Sequence, residues 1–142
     1  MTIRFRYAQT DLPDGTKITV PKIPLILVGK NKRLRVLGLL DTGSTQCYIR
    51  KDLAEILNLT LSDELKTDVT TIGQKIAAWE TRMKIIVEGT HGAIHEITVP
   101  VGVMPNEKLD EIIIGREAFF DAFDITFAER RKRILLKPHN IR

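Results

Sequence analysis

Short apolar or alternating runs follow one another along the chain, and their length and period predict strands rather than helices. Ile3, Phe5 and Tyr7 alternate with Arg4 and Arg6, the pattern of a half-buried strand. Leu12, Pro13, Asp14 and Gly15 form a turn signal, and residues 17–20 follow as a short extended piece. Residues 23–28 and 33–40 flank Gly29, Lys30, Asn31 and Lys32, which reads as a hairpin. Asp52, with Glu55 three positions on, has the form of a capping box, and Leu53, Ile56 and Leu57 give a short helix face ending near Asn58. Residues 65–72 and 75–87 are strand-like on either side of Gly73. A turn at 89–92 leads to a further strand-like run at 94–103. Residues 112–114 are a brief, wholly apolar strand, 117–123 suit one or two helical turns, and 125–127 and 133–136 flank a basic turn. Neither an internal repeat nor a low-complexity linker interrupts the pattern. The expectation is one mostly-β domain over residues 1–142, barrel-like or sandwich-like, with two small helices.

The length of 142 residues supports that count, being enough for one real core without disulfides. With 43% hydrophobic and 28% charged residues the composition is that of a globular chain rather than a disordered one. No apolar run approaches the roughly 18 residues of a membrane span, and the N-terminus reads without a signal-peptide pattern. The formal charge of +4 is unevenly placed. Residues 129–142 hold Arg130, Arg131, Lys132, Arg133, Lys137 and Arg142 against Glu129, and the remainder is near neutral. Such a tail suits nucleic acid, lipid headgroups or an acidic partner, or else a charged hairpin turn that keeps a strand edge soluble. The absence of interleaved aromatics weighs against single-stranded nucleic acid, and the hairpin turn is preferred.

Cys47 is the single cysteine, so no intrachain disulfide forms, which fits a reducing cytoplasm. It reads as a small packed side chain near a strand rather than as a nucleophile. His91 and His95 are four apart, a metal spacing on a helix, but the neighbouring glycines and β-branched run place them in a turn and strand. No metal or cofactor is expected.

The chemistry concentrates where the apolar run 37–40 meets Asp41, Thr42, Gly43 and Ser44. A carboxylate at the end of buried structure has a protonation energy open to tuning by desolvation and neighbours. Thr42 can donate a hydrogen bond that fixes the loop. Gly43 allows close backbone approach and an N–H aimed at the carboxylate, and Ser44 can bond it as well. Asp14 and Gly15 lack the preceding apolar strand and the intervening hydroxyl residue, so they do not form a second such loop.

The segment Leu39 to Ser44 resembles the active-site loop of retropepsin-like aspartic proteases, the group of the retroviral proteases and their cellular relatives. The run Ile113, Ile114, Gly115 and Arg116, followed by Glu117, Ala118, Phe119 and Phe120, resembles that family's second signature. The resemblance implies a single-domain acid-protease fold, mostly β with short helices, that functions as a dimer. It implies a strand through Ile114 beside the catalytic loop, with Gly115 bare of a side chain because one would strike that loop. In retroviral members the arginine at position 116 pairs with a carboxylate at position 45. Here Thr45 stands there, so the ion pair is absent or uses another partner. A flap is implied between the signatures, with Ile72, Gly73 and Gln74 as its tip, although retroviral tips are richer in glycine.

The family's chemistry uses two aspartates that share a proton, one activating water and the other polarising the scissile carbonyl. One Asp-Thr-Gly per chain then implies a homodimer in which Asp41 meets its twin and Thr42 reaches across, acting on a peptide or protein in extended conformation. The same fold could instead serve as a non-proteolytic dimeric peptide-binding or scaffold module.

Overall fold

The computed structural model describes residues 1–61, 66–71 and 74–139, of which 66–71 and 74–76 are described by their backbone alone. Strands dominate. They are β1 (Ile3–Arg6), β2 (Ala8–Asp11), β3 (Lys17–Val20), β4 (Lys22–Val28), β5 (Arg33–Leu40), β6 (Cys47–Arg50), β7 (Lys66–Thr71), β8 (Gln74–Glu88), β9 (Ile94–Met104), β10 (Ile112–Ile114), β11 (Phe123–Ala128) and β12 (Arg133–Pro138). Two short helices, α1 (Lys51–Ile56) and α2 (Phe119–Ala122), complete the set with three single 3₁₀ turns.

The main sheet runs in the order β4-β5-β10-β6-β9-β8-β7, and β4 also pairs with β8 through Ile26 opposite Ile86. That extra pairing curls the sheet back on itself, so one face closes around a core and strand edges are covered. Period-two alternation decides which residues enter: in β4, Ile23, Leu25 and Leu27 are buried between exposed or half-buried neighbours. They meet Ile49, Ile85, Val87, Val99, Val101 and Ile114, all fully buried. Each such side chain contributes about 1.5–3 kcal/mol relative to exposure. A second, three-stranded sheet in the order β1-β12-β11 joins the two ends of the chain, with Ile3 opposite Leu136 and Phe127 opposite Ile134. Phe119 and Phe123 stack between them and the core with ring centroids 5.3 Å apart.

Most of the expected elements stand where the pattern put them. The hairpin of β4 and β5, the apolar strand β10 and the hairpin turn between β11 and β12 all form. That turn is a 3₁₀ turn at Glu129–Arg131, closed by Lys132 in the left-handed region. Two strands escape the pattern. β2 is polar and pairs with β3 around the Leu12 to Gly15 turn, and β6 begins directly after the Asp41 loop. The expected capping box is corrected: Arg50 holds the N-cap position of α1 without a side-chain cap, and Asp52 lies inside the first turn. Its carboxylate is taken by the Arg50 guanidinium and by the Leu53 N–H at 2.7 Å, so it does not reach two or three residues ahead. Among the described residues, no helix is long and apolar enough to cross a membrane.

Candidate active site

Asp41 sits at the point where β5 leaves the sheet. β5 and β6 are consecutive in the chain but not neighbours in the sheet, because β10 lies between them. β10 runs parallel to β5, with Ile112, Ile113 and Ile114 beside Gly38, Leu39 and Leu40, and antiparallel to β6 at Ile113 and Tyr48. The loop from Asp41 to Gln46 is therefore wrapped around the end of a strand from far later in the chain.

Backbone hydrogen bonds fix the wrap. The Asp41 N–H donates to the Ile114 carbonyl at 3.0 Å, the Arg116 N–H to the Ser44 carbonyl at 3.0 Å, and the Glu117 N–H to the Thr45 carbonyl at 2.8 Å. Within the loop the Ser44 N–H donates to the Asp41 carbonyl at 3.2 Å, and the Gly43 N–H donates to Asp41 Oδ1 at 2.9 Å. The expected role of Gly43 is thus met. The Ser44 side chain does not bond the carboxylate: Ser44 Oγ donates to the Gln46 carbonyl at 2.8 Å and stiffens the far side of the loop. Thr42 is exposed, and its hydroxyl makes no hydrogen bond among the described residues, so the expected loop-fixing bond is not made among them.

Gly115 is buried against the loop. A Cβ there would lie 2.2 Å from the Gln46 carbonyl oxygen and 2.5 Å from its carbon, backbone atoms with little room to yield. Gly38 and Gly102 are similarly filled from outside, by Leu25 and Ile114 and by the Tyr48 ring. Arg116 is exposed and makes no ion pair among the described residues, which agrees with Thr45 replacing an acid.

Cys47 follows the loop and is fully buried; burial, with a smaller contribution from Glu117, pushes its thiol up to about 11 against a backbone hydrogen bond from Gly115. So high a value leaves no thiolate near neutral pH, and Cys47 is a packing residue. His91 lies in a turn at φ 57°, while His95 lies in β9 edge-to-face with Phe123 at 5.9 Å. Among the described residues, no group of three or more metal-ligating side chains forms.

Asp41 and Thr42 border a depression of about 240 Å³ whose other walls are Tyr7, Pro21, Leu40, Phe127 and Glu129. Of these, Tyr7, Phe127 and Glu129 carry no local signature in the sequence; the terminal sheet of β1, β12 and β11 brings them in. Burial and the Glu129 carboxylate raise the Tyr7 phenol above its usual range. A larger groove of about 510 Å³, lined by Lys30, Leu59, Thr81 and Lys84 among others, shares no residue with it. Of the expected flap tip, Ile72 and Gly73 lie outside the described residues. Gln74 opens β8 and pairs with Thr71 across the β7–β8 hairpin.

An Asp-Thr-Gly loop wrapped around a later Ile-Ile-Gly strand, in a small closed β-domain, is the retropepsin-like arrangement. The model of the aspartyl protease family matches residues 27–118, well over half of the chain and spanning both signatures; the chain belongs to that family. A retropepsin-like aspartic protease from Rickettsia conorii resembles it with a TM-score of 0.58 at 15% identity, covering 96% of this chain and 91% of that one. The retroviral protease-like domain of Ddi1 from Leishmania major resembles it with a TM-score of 0.52 at 13% identity, covering 87% and 96%. At such identities the likeness speaks for the fold. No curated protein matches the chain by sequence.

Proposed function

We propose that the chain is an aspartic endopeptidase that works as a homodimer, with Asp41 of each copy forming the catalytic dyad. The observation that carries this reading is the loop itself. Asp41 is held from the backbone by Ile114 and from its carboxylate by the Gly43 N–H, while Thr42 is left exposed beside it. A single carboxylate cannot be base and acid at once. Two carboxylates about 3 Å apart share one proton because both cannot ionise easily, and their apparent pKa values split. The ionised member takes a proton from water as it attacks the carbonyl carbon. The protonated member polarises the carbonyl oxygen and then supplies the leaving nitrogen. A two-fold axis at Thr42 brings the second Asp41 from an identical copy, and the Thr42 hydroxyl, unused among the described residues, reaches the partner loop. Ser44, Ile114 and Gly115 support the loop, and the β7–β8 hairpin around Ile72, Gly73 and Gln74 serves as the flap over an extended peptide. The lone buried thiol is in keeping with a cytoplasmic setting.

The test pairs cleavage of a peptide library between pH 3 and 7 with sedimentation. Asp41→Asn abolishes hydrolysis and keeps the dimer; retained cleavage by this variant, or a strict monomer at micromolar concentration in the parent, refutes the reading. A second reading, a peptide-binding or scaffold module of the same fold, draws on the missing partner of Arg116. It is favoured by saturable peptide binding without cleavage at any pH in the range.

A further inference from the structure

The closure of the main sheet has one gap. β8 pairs with β9 from Trp79 to Glu88, but its other side is divided between two strands. Lys66 of β7 lies opposite Trp79, and Val28 of β4 lies opposite Lys84. Between those pairings, residues 80–83 have no strand partner on that side among the described residues. In an antiparallel pair, alternate residues turn both N–H and C=O away from the neighbouring strand, so this stretch presents backbone donors and acceptors sideways. At about 3.3 Å per residue it offers roughly 13 Å of open edge.

The edge gives onto the groove of about 510 Å³, a size within the roughly 300–1,000 Å³ usual for ligand sites. Thr81 to Lys84 of β8 line it together with Lys30 from the turn after β4 and Leu59 and Thr60 from the segment after α1. The groove is preformed. The Lys30 N–H donates to the Leu57 carbonyl at 3.1 Å, and a Cβ on Gly29 would lie 2.1 Å from that same oxygen, so the turn is pinned to the end of α1. Thr81 Oγ1 donates to the Thr60 carbonyl at 2.9 Å and fixes that segment against β8. Among the described residues the lining holds the cations Lys30, Arg82 and Lys84 and no carboxylate. Glu96 engages Lys84 loosely at 3.7 Å, while Lys30 and Arg82 are exposed and make no ion pair there. Arg82 and Lys84 are exposed and Met83 between them is buried. A strand laid along the edge therefore turns one row of side chains toward the cations and the other toward Met83 and Leu59.

We propose that this groove is a docking site, separate from the Asp41 site, for an extended acidic polypeptide segment that adds as a strand to β8 at residues 80–83. Its acidic side chains lie beside Lys30, Arg82 and Lys84, and its apolar ones face Met83 and Leu59. Main-chain hydrogen bonds hold a strand of any sequence; the cations and the apolar floor select this one. A nucleic acid is equally anionic but has no peptide backbone to add to an edge, and no aromatic side chain lines the groove for base stacking. Docking needs no cleavage, so the proposal stands apart from the endopeptidase reading.

The experiment follows the fluorescence anisotropy of a short labelled peptide that alternates glutamate with valine, on the full chain carrying Asp41→Asn so that the probe is not cut. Saturable binding is expected, weaker as salt is added. Methylating alternate backbone nitrogens of the peptide weakens it about tenfold or more, a test of strand pairing that leaves the protein untouched. Lys30→Glu combined with Arg82→Glu weakens it about tenfold or more and turns the preference toward a lysine–valine peptide, whereas Arg82→Lys keeps the original preference. The preference between two peptides is read within one variant, so instability alone does not reverse it. An absence of saturable binding overturns the proposal and leaves Arg82 and Lys84 as charges that guard an edge. Binding indifferent to methylation, a preference unmoved by the two charge reversals, or equal or tighter binding of a DNA oligonucleotide in the same groove overturns it as well.

Discussion

Replacing Gly115 by alanine tests the wrapped loop with a single methyl group. Its Cβ would stand 2.2 Å from the Gln46 oxygen, whereas ordinary van der Waals contact begins at 3.4 Å. The neighbour is backbone in a loop tied down by Ser44 Oγ, so the chain segments must part by about 1 Å. Overpacking of that kind costs about 1–3 kcal/mol, and opening the 3.0 Å bond from Asp41 N–H to Ile114 adds about 1 kcal/mol. A loss of about 2–4 kcal/mol is a large part of the roughly 5–15 kcal/mol that holds a domain. Urea denaturation followed by Trp79 fluorescence, at two protein concentrations, reads it as a lower midpoint at unchanged slope. Gly38→Ala gives the contrast, because the atoms nearest its Cβ would be side-chain carbons, Leu25 Cδ1 at 2.7 Å and Ile114 Cγ1 at 2.8 Å, rather than backbone, and it costs less. Equal midpoints for Gly115→Ala and the parent would refute the close approach of β10 to the loop, and a larger loss for Gly38→Ala would refute the ranking.

Two further predictions concern the same neighbourhood. Because the Cys47 thiol is raised from 9.0 to about 11, the folded state holds its proton where the unfolded state has lost it. Stability is therefore full below pH 9 and falls between about pH 9 and 11, by at most on the order of 3 kcal/mol. In Cys47→Ala that part of the alkaline decline is absent in denaturation curves measured at pH 8 and pH 10.5, and an unchanged decline would contradict it. Ser44→Ala removes the bond to Gln46 and lowers stability by about 1 kcal/mol, with KM for a cleaved peptide moving less than kcat, since Ser44 stiffens the loop and does not meet the carboxylate.

The fold class and the heart of the site were legible in the sequence because both rest on local signals. Strand period, turn residues and the Asp-Thr-Gly and Ile-Ile-Gly runs are each written within a few adjacent positions. The reason for Gly115, the collision with the loop, was implied by the family resemblance rather than by any local signal, and the close approach to Gln46 agrees with it. What escaped was set by distant partners. β2, with Ala8 and Gln9 in place of a clear alternation, is a strand because β3 folds back on it. Asp52 looked like a helix cap and was claimed instead by Arg50, a neighbour the capping pattern does not consider. Tyr7, Phe127 and Glu129 reach Asp41 only through the pairing of the chain's two ends. Arg130, Arg131 and Lys132 lie in the turn between two paired strands and Arg133 and Lys137 on the second of them, while Arg142 lies outside the described residues.

The three residues of β10 also impose an order of events on the chain as it is made. Asp41, Thr42 and Gly43 leave the ribosome early, but the strand that holds them emerges only after residue 114. Until then β5 and β6 have no common neighbour, and the Asp41 N–H has no carbonyl to meet. Closing so long a loop is a slow, late step in folding. A nascent or truncated chain that stops short of β10 therefore carries the aspartate without its geometry, and assembly of the site is deferred until the domain is nearly whole.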